Sequence, residues 1–416
     1  MAMKIPLLFL CHRIPYPPNK GDKIRSFHLL HHLSRHFDIY LATFVDDPQD
    51  WPWVPEVEKY CADSLFVRLH PAIARARSLL GLASGQVLSL PYYRDARMGA
   101  WVRERVAQHG IAHLLVFSAA MAQYALQPKL SFQRRVIDYV DVDSYKWQQY
   151  AHRKRWPMNW LYRREGRLLL AYEQEVASAF DAALFVSSAE AALFRELAPR
   201  AAPKVGYYNN GVNTEYFTPD AALDNPFAVG ERALVFTGAM DYWPNIDAAL
   251  WFARDVYPQL RAADPDLRFY VVGSSPDARV SRLSRLPGIS VTGRVDDVRP
   301  YLRYCRAVVA PMRIARGVQN KVLEGMAMAR PVIVTTRGLE GIDAVHGEHV
   351  LIADTARQYA DCVRQVLGGA HADMGVRARS RISSHFSWDE NLPEVVYLLS
   401  GEKPAVQTPA RAAASA

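Results

Sequence analysis

The sequence predicts an α/β protein made of two doubly wound domains in tandem, each a parallel sheet wrapped by helices. Three observations carry this. Short apolar runs of strand length alternate with helical stretches along the whole chain. The same rhythm restarts after a break marked by Pro219 and Pro226. A length of 416 residues suits two or more domains.

In the first half, residues 5–11 read as a buried strand, and the Pro- and Gly-rich run 15–22 as a loop. Ile24, Phe27, Leu29, Leu30 and Leu33 mark a helix. Residues 39–44, 65–69, 114–117, 135–138 and 183–186 are further short apolar strands. In the second half the strands are 234–237, 268–272, 289–291, 307–310 and 332–334, with helical runs such as 248–257 between them. The expected division is 1–205, 206–384, a helix in 385–401 crossing back to the first domain, and a disordered Ala/Pro-rich tail, 402–416. In such sheets ligands bind beyond the carboxyl ends of the strands.

Composition is that of a soluble globular chain, 50% hydrophobic and 22% charged, and no apolar run is long enough to span a bilayer. The apolar start is followed by His12 and Arg13, with no small-residue cleavage site, so it reads as a strand and not as a signal peptide. Cys11, Cys61, Cys305 and Cys362 lie far apart, without metal or redox spacing, which suits a reducing cytoplasm. The formal charge of +8 is uneven: residues 1–210 hold 27 Lys and Arg against 19 Asp and Glu, and the remainder holds 23 of each. The excess points to an anionic partner for the first half.

The most informative stretch is 310–335. It reads as a strand end, a polar loop with one glycine, a short helix, a proline stop and another strand. The N–H groups at a helix N-terminus lack partners and attract anions. Arg313, Arg316 and Lys321 add positive charge there, and Glu324, one turn into the helix, can accept sugar hydroxyls. Together they suit a nucleoside diphosphate with its ribose.

Three motifs stand in a telling order. Residues 208–219, with Asn210-Gly211-Val212-Asn213 before Phe217 and Pro219, resemble the domain-junction signature of GT-B glycosyltransferases. Val235-Phe236-Thr237-Gly238 resembles their nucleotide-domain glycine loop, and 310–335 resembles the donor loop and helix of retaining glycosyltransferase family 4 (group 1). The run 15–25 is similar to sugar transferases of PEP-CTERM/exosortase exopolysaccharide systems. The resemblance implies the GT-B fold, two Rossmann-like domains facing across a cleft. It also implies a nucleotide-sugar donor, retention, no cofactor and no required metal.

By position, the resemblance assigns Glu324 to the donor ribose, Gly317 and Val318 to the diphosphate through backbone N–H groups, and Lys321, Arg313 and Arg316 to phosphate charge. Asn320 opens the same helix, Gly293, Arg294 and Val295 would lie beside the base, and Gly238 lets the backbone approach the donor. The chain departs from the pattern twice. Arg316 stands where a first glutamate is often found, and no cation follows the glycine loop, where Asp241 or Asn245 can meet the sugar instead. On the acceptor side the candidates are the loop residues Lys20, Gly21, Asp22 and Arg25. Asp141 and Asp143 occupy a turn where many relatives carry a cleft-lining histidine. They can orient a hydroxyl or take its proton, or Asp143 or Ser144 can simply cap the following helix. With Lys321 they form the expected catalytic set.

The expected acceptor is a saccharide or lipid-linked saccharide, in the cytoplasm and peripherally on the inner face of the plasma membrane. Arginines at 153–167 interleaved with Trp156, Trp160 and Tyr162 suit an anionic membrane surface, or else a solvated basic helix face. The semi-apolar stretch 72–90 can join that surface or pack on the core. His28, His31, His32 and His36 lack an accompanying acidic motif and read as helix histidines, not as a metal site. A nucleotide-sugar epimerase or hydrolase on the same fold is the alternative enzyme. A nucleic-acid partner is disfavoured for want of a recognisable module, and a dehydrogenase for want of Gly-x-Gly-x-x-Gly.

Overall fold

The computed structural model describes residues 4–18, 21–152, 154–220, 222–315 and 317–401. The chain divides into two compact units. The first takes residues up to 185, 191–208 and the end of the chain from 392, and the second takes 186–190 and 209–391.

The first unit is built on seven parallel strands: β1 Ile5–Cys11, β2 Phe37–Val45, β3 Asp63–Arg68, β4 His113–Phe117, β5 Arg134–Val140, β6 Ala182–Phe185 and β7 Val205–Tyr207. Their order is β3-β2-β1-β4-β5-β6-β7. The second unit has six: β8 Arg232–Thr237, β9 Leu267–Val272, β10 Ile289–Gly293, β11 Ala307–Ala310, β12 Val332–Val334 and β13 Leu351–Ile352, in the order β10-β9-β8-β11-β12-β13. Central strands such as Leu7–Cys11 and Leu234–Phe236 are wholly buried, which is why they read as continuous apolar runs.

Both sheets are doubly wound, the GT-B pair of Rossmann-like domains. In each, the strand order reverses between the first strand and its neighbour, β1 beside β4 and β8 beside β11. Ligand crevices form at such reversals, beyond the carboxyl ends of the strands.

Two strands, β7 and β13, escape the sequence pattern because edge strands of two or three residues carry too little periodicity. β7 pairs with β6, so the first unit runs past residue 205. Near the chain end, Phe386 still belongs to the second unit, its carbonyl accepting from Val212 N at 2.8 Å. The helix Pro393–Ser400 lies in the first unit, on β4 and β5, where the Leu399 carbonyl meets His113 Nδ1 at 2.7 Å. The tail 402–416 lies outside the described residues.

Candidate active site

In the second unit, the loops after β8 and β11 flank the reversal point. Gly238, just past β8, has φ 151°, and a Cβ there would stand 2.7 Å from Asn245 Nδ2. Gly273, past β9, has φ 152°, and its Cβ would strike Gly238 O at 1.7 Å. Only glycine lets these two turns press together. Between them, Met240 N donates to Ser274 O at 2.8 Å.

Asn245 lies in the first turn of the helix Trp243–Trp251, is buried, and is fixed by Nδ2 donating to Ala239 O at 2.9 Å. Its Oδ1 accepts from Lys321 Nζ at 2.7 Å. Lys321 begins the helix Asn320–Ala327 at its second position and is only 9% exposed. Its ammonium meets Met312 Sδ at 3.8 Å and the Phe236 ring at 5.2 Å. Burial lowers its pKa to about 8, against a smaller opposing pull from Glu324. Glu324, one turn on and half-buried, is pushed up to about 7 by burial, which Lys321 only partly offsets. A cation and a carboxylate are thus drawn from water without a full counter-charge.

The same helix starts without a side-chain cap from Gln319. Gly317 has φ 66° and its carbonyl accepts from Gln319 Nε2 at 3.0 Å, while Val318 is buried. Asn320 Oδ1 receives Asn210 Nδ2 at 3.5 Å. Thr237 Oγ1, at the end of β8, is buried and has no hydrogen-bond partner among the described residues. Arg313 is less available than the sequence suggests. It pairs with Asp247 at 2.6 Å and stands 5.5 Å from the Trp251 ring, so it must exchange partners to reach a phosphate. Gly293 ends β10, one strand beyond β9, and Arg294 and Val295 follow it; Gly293 has φ 69° and open space where a Cβ would stand. Arg316 lies outside the described residues.

In the first unit, Lys20 lies outside the described residues. Gly21 starts the helix Gly21–Leu33, and Asp22 in its first turn accepts from Arg13 Nη1 at 2.6 Å, with His12 Nε2 at 3.5 Å. Arg13 also grips Asp46. Burial alone would lower the His12 pKa, but hydrogen bonding to Asp22, with Cys11 adding to it, lifts it to about 9. Asp22 is held well below the usual carboxylate range in spite of its burial, first by His12 and then by Arg13.

Arg25 corrects the sequence reading. It is fully buried, bonded by Nε to Asp138 at 2.8 Å and by its other nitrogens to the Tyr208 and Phe185 carbonyls, with the Tyr208 ring 3.5 Å from its carbon. It ties the helix to β5 and the end of β6 and presents nothing to an acceptor.

Asp141 and Asp143 share Lys146 Nζ, at 2.6 and 3.1 Å. The cap of the helix Asp143–His152 comes from elsewhere: buried Glu173 accepts from Ser144 N at 3.3 Å and Ser144 Oγ at 2.5 Å, and burial raises it to about 8. Val140, just before this turn, holds φ 70°, a strained value for a β-branched residue. The sequence assigns no functional role to His12, Arg13, Lys146, Glu173 or Thr237. For His12 and Arg13 a signal existed, since polar residues directly at the end of a buried strand fall on the ligand side of the sheet. Among the described residues, no three His, Cys, Asp or Glu side chains converge as metal ligands.

Residues 231–368 match the family described as Glycosyl transferases group 1, on the elements that carry Gly238, Asn245, Lys321 and Glu324. The second unit thus carries a group 1 glycosyltransferase domain. That makes the chain a glycosyltransferase. Its fold is similar to a sucrose-phosphate synthase from Thermosynechococcus elongatus, at 17% identity and TM-score 0.70, over 95% of this chain and 98% of that one. It is also similar to WaaG, a glycosyltransferase involved in lipopolysaccharide biosynthesis, at 14% identity and TM-score 0.66, over 95% and 100%. Anabaena HepE in complex with UDP-glucose aligns at 13% identity and TM-score 0.65, over 96% and 100%. At these identities the likeness is one of fold. No curated protein matches the chain.

Proposed function

We infer that the glycosyltransferase takes a nucleoside diphosphate sugar as donor and passes the sugar, with retention, to a saccharide or lipid-linked acceptor in exopolysaccharide or other cell-surface polysaccharide assembly. The observation that carries the donor reading is the Lys321–Glu324 pair. A buried ammonium held by a neutral amide and a thioether is under-compensated, and a diphosphate supplies the missing charge. In this reading Glu324, a turn further along the helix, accepts ribose hydroxyls. That HepE was crystallised with UDP-glucose supports a nucleotide-sugar donor of this kind.

The chemistry follows from charge. The bond from the anomeric carbon to the diphosphate oxygen breaks, and negative charge grows on the departing phosphate. Lys321 and the uncapped helix start stabilise that charge as preorganised donors, with no metal called for. The acceptor hydroxyl attacks from the same face, and its proton passes to the departing phosphate oxygen. Retention and the polysaccharide role rest on the motif resemblance. Asp141 and Asp143, both held by Lys146, fit the orienting of acceptor hydroxyls better than proton abstraction. The reading places the enzyme in the cytoplasm, at the inner membrane face where lipid-linked acceptors are displayed.

A saturation-transfer NMR screen against nucleotide sugars tests the donor. The expected result is transfer to base and ribose protons of one nucleotide class, lost in Glu324→Ala. Transfer to none of the panel would overturn the reading. The anomeric configuration of the product decides retention.

A further inference from the structure

Among the described residues of the first unit, four of the most exposed large apolar side chains fall at two places far apart in sequence, and the structure joins them. One is the short helix Leu80–Ser84 with the residue before it, where Leu79 and Leu80 are 58% and 65% exposed. The other is the turn from the helix Asp143–His152 into the helix Met158–Ala179, where Trp156 is 79% and Trp160 57% exposed. Arg164 ties the two together. Its Nη2 donates to Gly81 O at 2.8 Å and its Nη1 to Gln86 O at 3.3 Å, while neighbouring Glu165 accepts from Leu88 N at 2.7 Å. Trp160 lies one turn before Arg164 on the same helix, on the face from which Arg164 reaches the leucine-bearing segment.

Exposed charge along these segments has one sign. No Asp or Glu occurs in residues 71–94, and Glu165 is the only one in 144–172. Glu165 is buried and ion-paired to Arg164, so it offers no negative charge to the surface. Arg75, Lys154, Arg155, Arg163 and Arg167 are exposed. Among them, Arg163 and Arg167 follow Trp160 on one helical face at spacings of three and seven. Arg153 lies outside the described residues.

We propose that this joined face, Leu79, Leu80, Trp156 and Trp160 rimmed by exposed arginines, docks the first unit on an anionic lipid bilayer. The tryptophans and leucines sit among the headgroups and upper acyl chains, and the arginines bind lipid phosphates. A solvated basic face would explain the arginines, but not four large apolar side chains held out among them. Depth is limited to the interface, because among the described residues no helix is long and apolar enough to cross a membrane. Arg164 is excluded from the lipid-binding set, since its guanidinium is spent on Gly81 and Gln86. The proposal deepens the membrane clause of the reading above and does not depend on the donor.

The test is co-sedimentation of the full chain with phosphatidylcholine vesicles, with and without phosphatidylglycerol. The wild type should bind the anionic vesicles only, and less as salt rises. Replacing Arg155, Arg163 and Arg167 by Glu reverses three charges, each worth roughly fivefold near such a surface, so binding should fall about a hundredfold or more. The triple change Leu80→Ser, Trp156→Ser, Trp160→Ser should lose a similar amount. Melting temperature and UDP affinity of both variants should match the wild type, which separates lost docking from lost folding. Failure of the wild type to prefer anionic vesicles would overturn the proposal, as would unchanged binding by both variants. A concentration-dependent dimer abolished by the apolar variant would give the face to a second copy and would equally overturn it. UDP binding lost while docking persists would fault the donor reading alone.

Discussion

Each unit gathers charge at the carboxyl ends of its strands, and the two do it differently. In the first, opposite charges meet directly: Arg13 between Asp22 and Asp46, Arg25 on Asp138, and Lys146 between Asp141 and Asp143. In the second, Lys321 rests on an amide and a thioether, and Glu324 is drawn from water with only partial compensation. In the first arrangement each of these charges already has an opposite partner, which suits neutral hydroxyls. The second is unfinished and suits a charged group. The contrast divides stability from function: ion pairs in the first unit should matter mainly for folding or orientation, and the Lys321–Glu324 pair for binding and rate.

Arg25→Ala should have the largest effect, because it leaves Asp138 buried without its counter-charge. A loss of about 3–5 kcal/mol of stability is expected by denaturant unfolding. UDP affinity of the molecules that stay folded should be unchanged. If affinity fell in proportion, Arg25 would have to be returned to the substrate side.

Lys321→Ala should lower kcat by about 10²–10³-fold, the scale for removing one preorganised donor to developing charge. Its stability should change little or rise, since a buried ammonium is removed. A Lys321→Ala enzyme with near-normal turnover would break the contrast between the units.

Glu324→Gln sharpens the same point through pH. The folded carboxyl titrates near 7 against an ordinary 4.5, so the folded state holds its proton over that window and the unfolded state does not. Wild-type stability from this group therefore falls as pH rises from 4.5 to 7, and the glutamine variant escapes the loss. Urea unfolding should find the variant no more stable at pH 4 and more stable at pH 8 by about 1–2 kcal/mol, less than the shift alone implies because Glu324 is partly exposed. A stability difference independent of pH would show that the carboxyl is not strained by burial.

Lys146→Ala should be mildest. Its two aspartates are partly exposed and can take up water, so KM for the acceptor should rise less than about tenfold with kcat nearly kept. A collapse of kcat would instead make this turn part of the proton transfer.

The fold was legible where physics is local. Continuous apolar runs such as Leu7–Cys11 and Leu234–Phe236 announce strands buried on both faces, and their alternation with helices leaves little choice of architecture. Within the helix Asn320–Ala327, Lys321 and Glu324 could be read together because three residues on a helix is about one turn. Pairings made by tertiary structure could not. Lys321 meets Asn245 across 76 residues and Arg25 meets Asp138 across 113, and nothing in either segment names its partner. Arg25 looked like a loop cation because the Pro- and Gly-rich run before it is a loop. The structure sets it one turn into the helix, facing the sheet, where only a paired guanidinium is tolerated.

The central claim is that the second unit's Lys321–Glu324 pair awaits a nucleoside diphosphate. Titration calorimetry of UDP, GDP and ADP into the wild type, Lys321→Ala and Glu324→Ala tests it directly. One nucleotide should bind the wild type at a single site, about 10- to 100-fold more weakly in each variant, as expected for losing a charged hydrogen bond. Equal affinity in all three proteins, or no binding of any nucleotide to the wild type, would contradict it.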